Sequence, residues 1–173
     1  DSIARSVDFT MYHFGEEISF SDMRRTTEYT VLFAFDQYCT SCQKELAHWS
    51  KKDGLLDICI DKPESCQIIA LETSHPGEDE DLEAYRVGLE DGPLKEAGNR
   101  ISVTIDPQGY GEDGMGYLKR IYDGYLTAKF PEWEGYGAVI YTKEGIIVGS
   151  YKSEDPSEHD DLVTERIKEL LGE

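Results

Sequence analysis

Residues 30–35, Thr-Val-Leu-Phe-Ala-Phe, are a nearly unbroken apolar run of strand-favouring side chains. That is the pattern of a strand buried on both faces of a sheet. Cys66 to Leu71 (CQIIAL) repeats it, and Ile101 to Ile105 reads as a third strand, ending in Asp106-Pro107. From Thr40 to about Lys52 the period becomes helical, with Leu46 and Trp49 three apart on one side. Leu82, Tyr85 and Leu89 keep helical spacing behind an acidic first turn. Leu118, Ile121, Tyr122, Tyr125 and Leu126 form a further amphipathic stripe. At the start, Phe9 to Phe14 and Ile18 to Phe20 flank Gly15-Glu16-Glu17 as a short hairpin. Ala138 to Tyr141 and Ile146 to Tyr151 do the same around Lys143-Glu144-Gly145. Ser157 is placed as the cap of a last helix running to Leu171, with Leu162, Val163, Ile167 and Leu170 facing inward. The order ββ-β-α-β-α-β-α-β-β-α predicts an α/β fold with a mixed central sheet, helices on both faces and an N-terminal β-hairpin.

The chain has 173 residues and no internal repeat, low-complexity tract or Pro/Ser-rich linker, so residues 1–173 are expected to form a single domain. Charge then narrows the partners. With 17 Lys+Arg against 36 Asp+Glu, the formal net charge is −19. Such a surface repels phosphate backbones and anionic headgroups, so nucleic acid and acidic membranes are poor partners, and the acidic face is read as serving solubility. No stretch approaches the ~20 apolar residues of a membrane span.

The chemistry lies in the cysteines. Cys39 and Cys42, in Tyr38-Cys-Thr-Ser-Cys, stand where the buried strand gives way to a helix. A helix N-terminus offers unpaired N–H groups and positive potential, which favour thiolate over thiol. Cys39 is therefore the candidate nucleophile and Cys42 the resolving thiol, three residues on. Thr40 and Ser41 add hydroxyl donors, while Asp36 just upstream opposes strong activation. A zinc site would need two more ligands. Cys59 and Cys66 are spaced too widely for a second knuckle, and His13, His48, His75 and His159 are scattered, so no metal is expected. A purely structural Cys39–Cys42 disulfide is the competing reading. Cys59 and Cys66 flank a turn containing Pro63 and Glu64, and the even cysteine count makes them a candidate structural disulfide; two free buried thiols are the alternative.

Other motifs carry less. Gly109-x-Gly111-x-x-Gly114 has the form of a dinucleotide loop, but Glu112 and Asp113 inside it would repel a pyrophosphate. Asp106, Glu112, Asp113 and Asp123 lack calcium-loop spacing. Tyr117, Tyr122 and Tyr125 read as core packing.

The stretches Gly15-Glu-Glu-Ile-Ser-Phe-Ser-Asp-Met and TVLFAFDQYCTSCQKE resemble the opening of TlpA/ResA-like thioredoxin-fold proteins. Tyr38 stands where that family has Trp, and Glu45 matches the Glu that follows its second cysteine. ISVTIDPQG and AVIYTKEGIIVGSY are similar to its later strand and closing hairpin. The resemblance implies a thioredoxin-like fold, no cofactor, and an extracytoplasmic location that is periplasmic, membrane-anchored or secreted, with an N-terminal tether common. It also implies a protein thiol or disulfide substrate and a redox partner. Two departures stand out. Tyr136, followed by Gly137, occupies the place of the family's cis-proline, which receives the substrate chain. Thr40-Ser41 replaces the usual residues between the cysteines. Peroxiredoxins fit worse, since Asp36 stands where their motif requires Thr.

These observations predict a thiol–disulfide oxidoreductase working through Cys39 and Cys42, with Tyr38, Tyr136 and Gly137 lining the substrate groove. The rival is a redox-inert thioredoxin-like binding module with a structural disulfide.

Overall fold

The computed structural model describes residues 5–6, 8–74, 81–107, 137–157 and 161–173. The N-terminal hairpin forms as β1 (Thr10–His13) and β2 (Glu16–Ser19), joined through Phe14 and Gly15, both at positive φ. Then come α1 (Phe20–Arg24), β3 (Tyr29–Phe35), α2 (Thr40–Trp49), α3 (Leu55–Asp61) and β4 (Cys66–Glu72). The chain continues through α4 (Leu82–Asp91), a 3-10 turn at Gly98–Arg100, β5 (Ser102–Ile105), β6 (Gly137–Thr142), β7 (Ile147–Lys152) and α5 (Leu162–Leu170).

The strands make one seven-stranded sheet in the order β2-β1-β5-β4-β3-β6-β7. β3, β4 and β5 run parallel; the other pairings are antiparallel. The unbroken apolar runs have a simple cause. On β3, Val31, Phe33 and Phe35 face one core, and Leu32 and Ala34 face the other. β4 and β6 divide in the same way, with Ile68 and Ala138 on the first face and Ile69 and Val139 on the second. The first core is closed by Leu46 and Trp49 of α2, Leu55 and Leu56 of α3, Leu89 of α4, and Val163 and Ile167 of α5. Phe20 of α1 joins Phe9 and Met11 on the second. This is the predicted mixed α/β architecture.

Four local expectations change. Phe20 opens a helix and does not end the hairpin. Cys59 lies in the last turn of α3, so the turn before β4 spans Lys62 to Ser65 only. α2 stops at Trp49, before Lys52. The last helix is capped by Asp161, whose side chain accepts the Thr164 N–H at 3.1 Å. Ser157 instead bonds the Asp155 carboxylate, and Leu162 is exposed. Asp161 wins because it immediately precedes the helix and reaches its first-turn amide, which a residue four positions earlier cannot. The predicted helix around Leu118 lies outside the described residues, as do Gly109 to Gly114 and Tyr136.

Candidate active site

Where β3 ends, four residues, Asp36 to Cys39, turn the chain into α2, and the turn is held by bonds to Asp36. The Cys39 N–H donates to the Asp36 carbonyl at 2.9 Å, and the Tyr38 N–H donates to the Asp36 carboxylate at 2.8 Å. Cys39 is the N-cap of α2, with extended backbone, and its sulfur accepts the Cys42 N–H at 3.2 Å. A sulfur thus stands where a Ser or Asp oxygen usually satisfies the first-turn amides. The Ser41 hydroxyl lies 3.3 Å from the same sulfur. Cys39 and Cys42 are disulfide-bonded, with Cα atoms 5.3 Å apart. Their environments differ. Cys42 has no solvent exposure and packs into the first core; Cys39 is only partly buried, and the neighbouring Tyr38 is 77% exposed.

Two buried carboxyls flank this turn. Glu45, one turn beyond Cys42, is buried at the edge of a small cleft with Tyr151, Lys152, Glu154 and Asp161. Its Oε2 accepts the Glu154 N–H at 3.4 Å, and its Oε1 has no hydrogen-bond partner among the described residues. Burial, joined by the charges of Asp161 and Glu154, pushes its pKa up to about 8. Glu72 ends β4, opposite Phe35 in the register, with no solvent exposure. It accepts the Gln37 N–H at 2.7 Å through Oε2, and the Ser74 N–H and hydroxyl through Oε1. Burial raises its pKa to about 7 against those hydrogen bonds, and the Asp36 charge adds to the rise. Tyr85 of α4 accepts from the Gln37 side chain, and burial followed by the Glu72 charge raises its pKa.

Among the predicted site residues, Tyr38, Cys39 and Cys42 come together. Gly137 opens β6 next to Ala34 of β3, with φ +149. The close approach that its missing side chain permits is by β7: a Cβ there would stand 2.1 Å from the Tyr151 carbonyl oxygen. Cys59 and Cys66 are disulfide-bonded, with Cα atoms 5.0 Å apart, and tie α3 to the start of β4. They sit at the far end of the sheet, since Cys66 pairs with Tyr29 at the beginning of β3 and Cys39 follows its end. Seven strand residues put roughly 20 Å between the two disulfides. No group of three His, Cys, Asp or Glu side chains among the described residues is arranged to hold a metal ion. Glu72 was missed in the sequence. The only signal was a carboxylate closing the apolar run CQIIALE, and its partner Gln37 lies 35 positions away.

No protein-family model matches the sequence, and no curated protein matches it. Solved structures do match. A thiol:disulfide interchange protein from a Bacteroides species aligns with TM-score 0.61 at 15% identity, covering 100% of this chain and 91% of that one. The thioredoxin domain of a thiol-disulfide oxidoreductase from Bacteroides vulgatus aligns with TM-score 0.55 at 14% identity, covering 98% and 95%. A thioredoxin-like protein from Bacteroides caccae aligns with TM-score 0.56 at 13% identity, covering 98% of this chain and 48% of that one, so this chain spans about half its length. The fold is that of the thioredoxin-like proteins. Its Cys-x-x-Cys pair, in disulfide geometry, stands at the N-terminus of the helix after the central strand.

Proposed function

We propose that this chain is an extracytoplasmic thiol–disulfide oxidoreductase acting on protein partners. The observation that carries the reading is the asymmetry of the pair: a partly exposed Cys39 at the head of α2, and a fully buried Cys42 behind it. In the reduced protein the Cys39 thiolate attacks one sulfur of a partner disulfide, forming a mixed disulfide and releasing the partner's first thiolate. The Cys42 thiolate then attacks the Cys39 sulfur. The mixed disulfide breaks, the second partner thiolate leaves, and Cys39–Cys42 is oxidised by two electrons. The N–H groups of the first turn of α2 stabilise the anionic forms. A redox partner restores the dithiol, and the fold supplies the chemistry without a cofactor.

Tyr38, Tyr136 and Gly137 are assigned to the groove that receives the partner chain, Tyr38 because it is exposed beside Cys39. Cys59–Cys66 is assigned as a structural clamp, in keeping with its burial and its distance from Cys39. The extracytoplasmic assignment and an N-terminal membrane tether rest on the resemblance to TlpA/ResA-like proteins and on the pairing of all four cysteines. Disulfide reduction in a protein substrate, compared between the parent and Cys39→Ser, tests the function. Activity in the parent and none in the variant supports it. The absence of activity in both leaves the redox-inert binding module as the reading.

A further inference from the structure

Gln37 is held on three sides. Its N–H donates to Glu72, its carbonyl accepts from the Gln43 side chain, and its own side chain donates to Tyr85. One carboxylate on β4 thereby fixes the backbone two residues ahead of Cys39, across a register in which Phe35 pairs with Glu72 and the Thr73 N–H bonds the Phe35 carbonyl at 3.0 Å. A carboxylate without solvent exposure, satisfied by three donors, is a costly feature to place beside an apolar core. In this fold it lies under the turn that carries the reacting sulfur. We propose that Glu72 is a positioning residue for Cys39, holding the β3–α2 turn through Gln37 and setting the electrostatic field in which the Cys39 thiol ionises.

Among the described residues, the titratable groups around Glu72 are Asp36 just after β3, Tyr85 from α4, itself under the influence of Tyr38 in the turn, and Asp106 just after β5, whose N–H bonds the Glu72 carbonyl at 2.9 Å. All are acidic or phenolic, so none compensates the Glu72 charge. An anion here opposes a second anion on Cys39. Two such groups titrate as a coupled pair, so the thiolate curve is stretched over a wider pH range than one proton requires. With Glu72 ionising near neutrality, the stretch begins at about pH 7.

The inference rests on the redox role proposed for Cys39, but its test reads only thiol ionisation. The dithiol form of the full chain is alkylated with iodoacetamide from pH 5 to 10, and the Cys39 peptide is quantified by mass. The parent should give a stretched curve. Glu72→Gln should give a narrower curve, its spread at the acid end removed, and react about three- to tenfold faster at pH 7.5. Ser74→Ala removes one donor from the Glu72 carboxylate and should move the onset of the stretch to higher pH; this variant decides the matter if Glu72→Gln does not fold. Profiles that superimpose on the parent, or a Glu72→Gln profile scaled uniformly with unchanged shape, overturn the proposal. The shift without any disulfide reduction by the parent would refute the oxidoreductase reading and leave the Glu72 role standing.

Discussion

Cys39 caps the helix that carries Cys42, its sulfur taking the Cys42 N–H at 3.2 Å, while the Cys42 side chain has no contact with solvent. One hydrogen bond thus distinguishes two cysteines three residues apart. The same first-turn amide that satisfies the sulfur of the partly buried Cys39 in the oxidised protein is available to its thiolate after reduction.

The reduced protein should therefore show one fast and one slow thiol at this site. Cys39 should be alkylated at least about tenfold faster than Cys42 near pH 8, because the thiolate at a helix N-terminus is both more populated and more accessible. Peptide mass mapping over a time course measures both rates. Equal rates would remove the assigned roles of attacker and resolver.

Gly137 yields a structural prediction. Its φ is +149, and a Cβ at this position would lie 2.1 Å from the Tyr151 carbonyl oxygen, which leaves no room for any side chain. Gly137→Ala must push β7 away from β6 at the point where Gly137 pairs with Lys152, and should destabilise the fold by about 2 kcal/mol or more. The urea midpoint measures this. An unchanged midpoint would mean that the two strands part easily, and that the glycine serves something other than their contact.

What the sequence made legible follows from what each signal averages over. β3 and β4 were visible because burial on both faces leaves long apolar runs, which no solvated segment imitates, and β6 because its apolar run meets β7 across a Lys143-Glu144-Gly145 turn. α1 and α3 were not, since helices of 5 and 7 residues are too short to display a period. Ser157 and Asp161 are both good N-caps, and the choice between them depends on where the chain meets α5, which composition does not encode. The Cys-x-x-Cys pair could be read because its chemistry is local. Glu72 could not, because its role exists only after β4 lies beside β3 and brings it to the Gln37 amide.

Glu45 makes stability depend on pH in a direction opposite to that of a salt-bridged acid. Its pKa in the folded protein is about 8, against 4.5 for an ordinary glutamate. Between those values the folded chain keeps a proton that the unfolded chain releases, so the unfolded state binds fewer protons and stability falls as pH rises. The contribution is fully present below pH 4.5 and lost by about pH 8; Glu72, near 7, adds to the same slope over a narrower window. The paired acid Asp155, held down at about 2, acts only at lower pH and leaves this window undisturbed. Glu45→Gln keeps the neutral, hydrogen-bonding shape without a proton to lose. The melting temperature of the parent should fall between pH 5.5 and 8.5, and the variant should recover at least ~1 kcal/mol of that loss, about 2–4 °C for a chain of this size. Thermal unfolding followed by circular dichroism at the two pH values measures it. A parent curve that is flat or rises with pH, or a variant with the same slope as the parent, would show that the Glu45 carboxyl is ionised and solvated despite its place beneath Glu154.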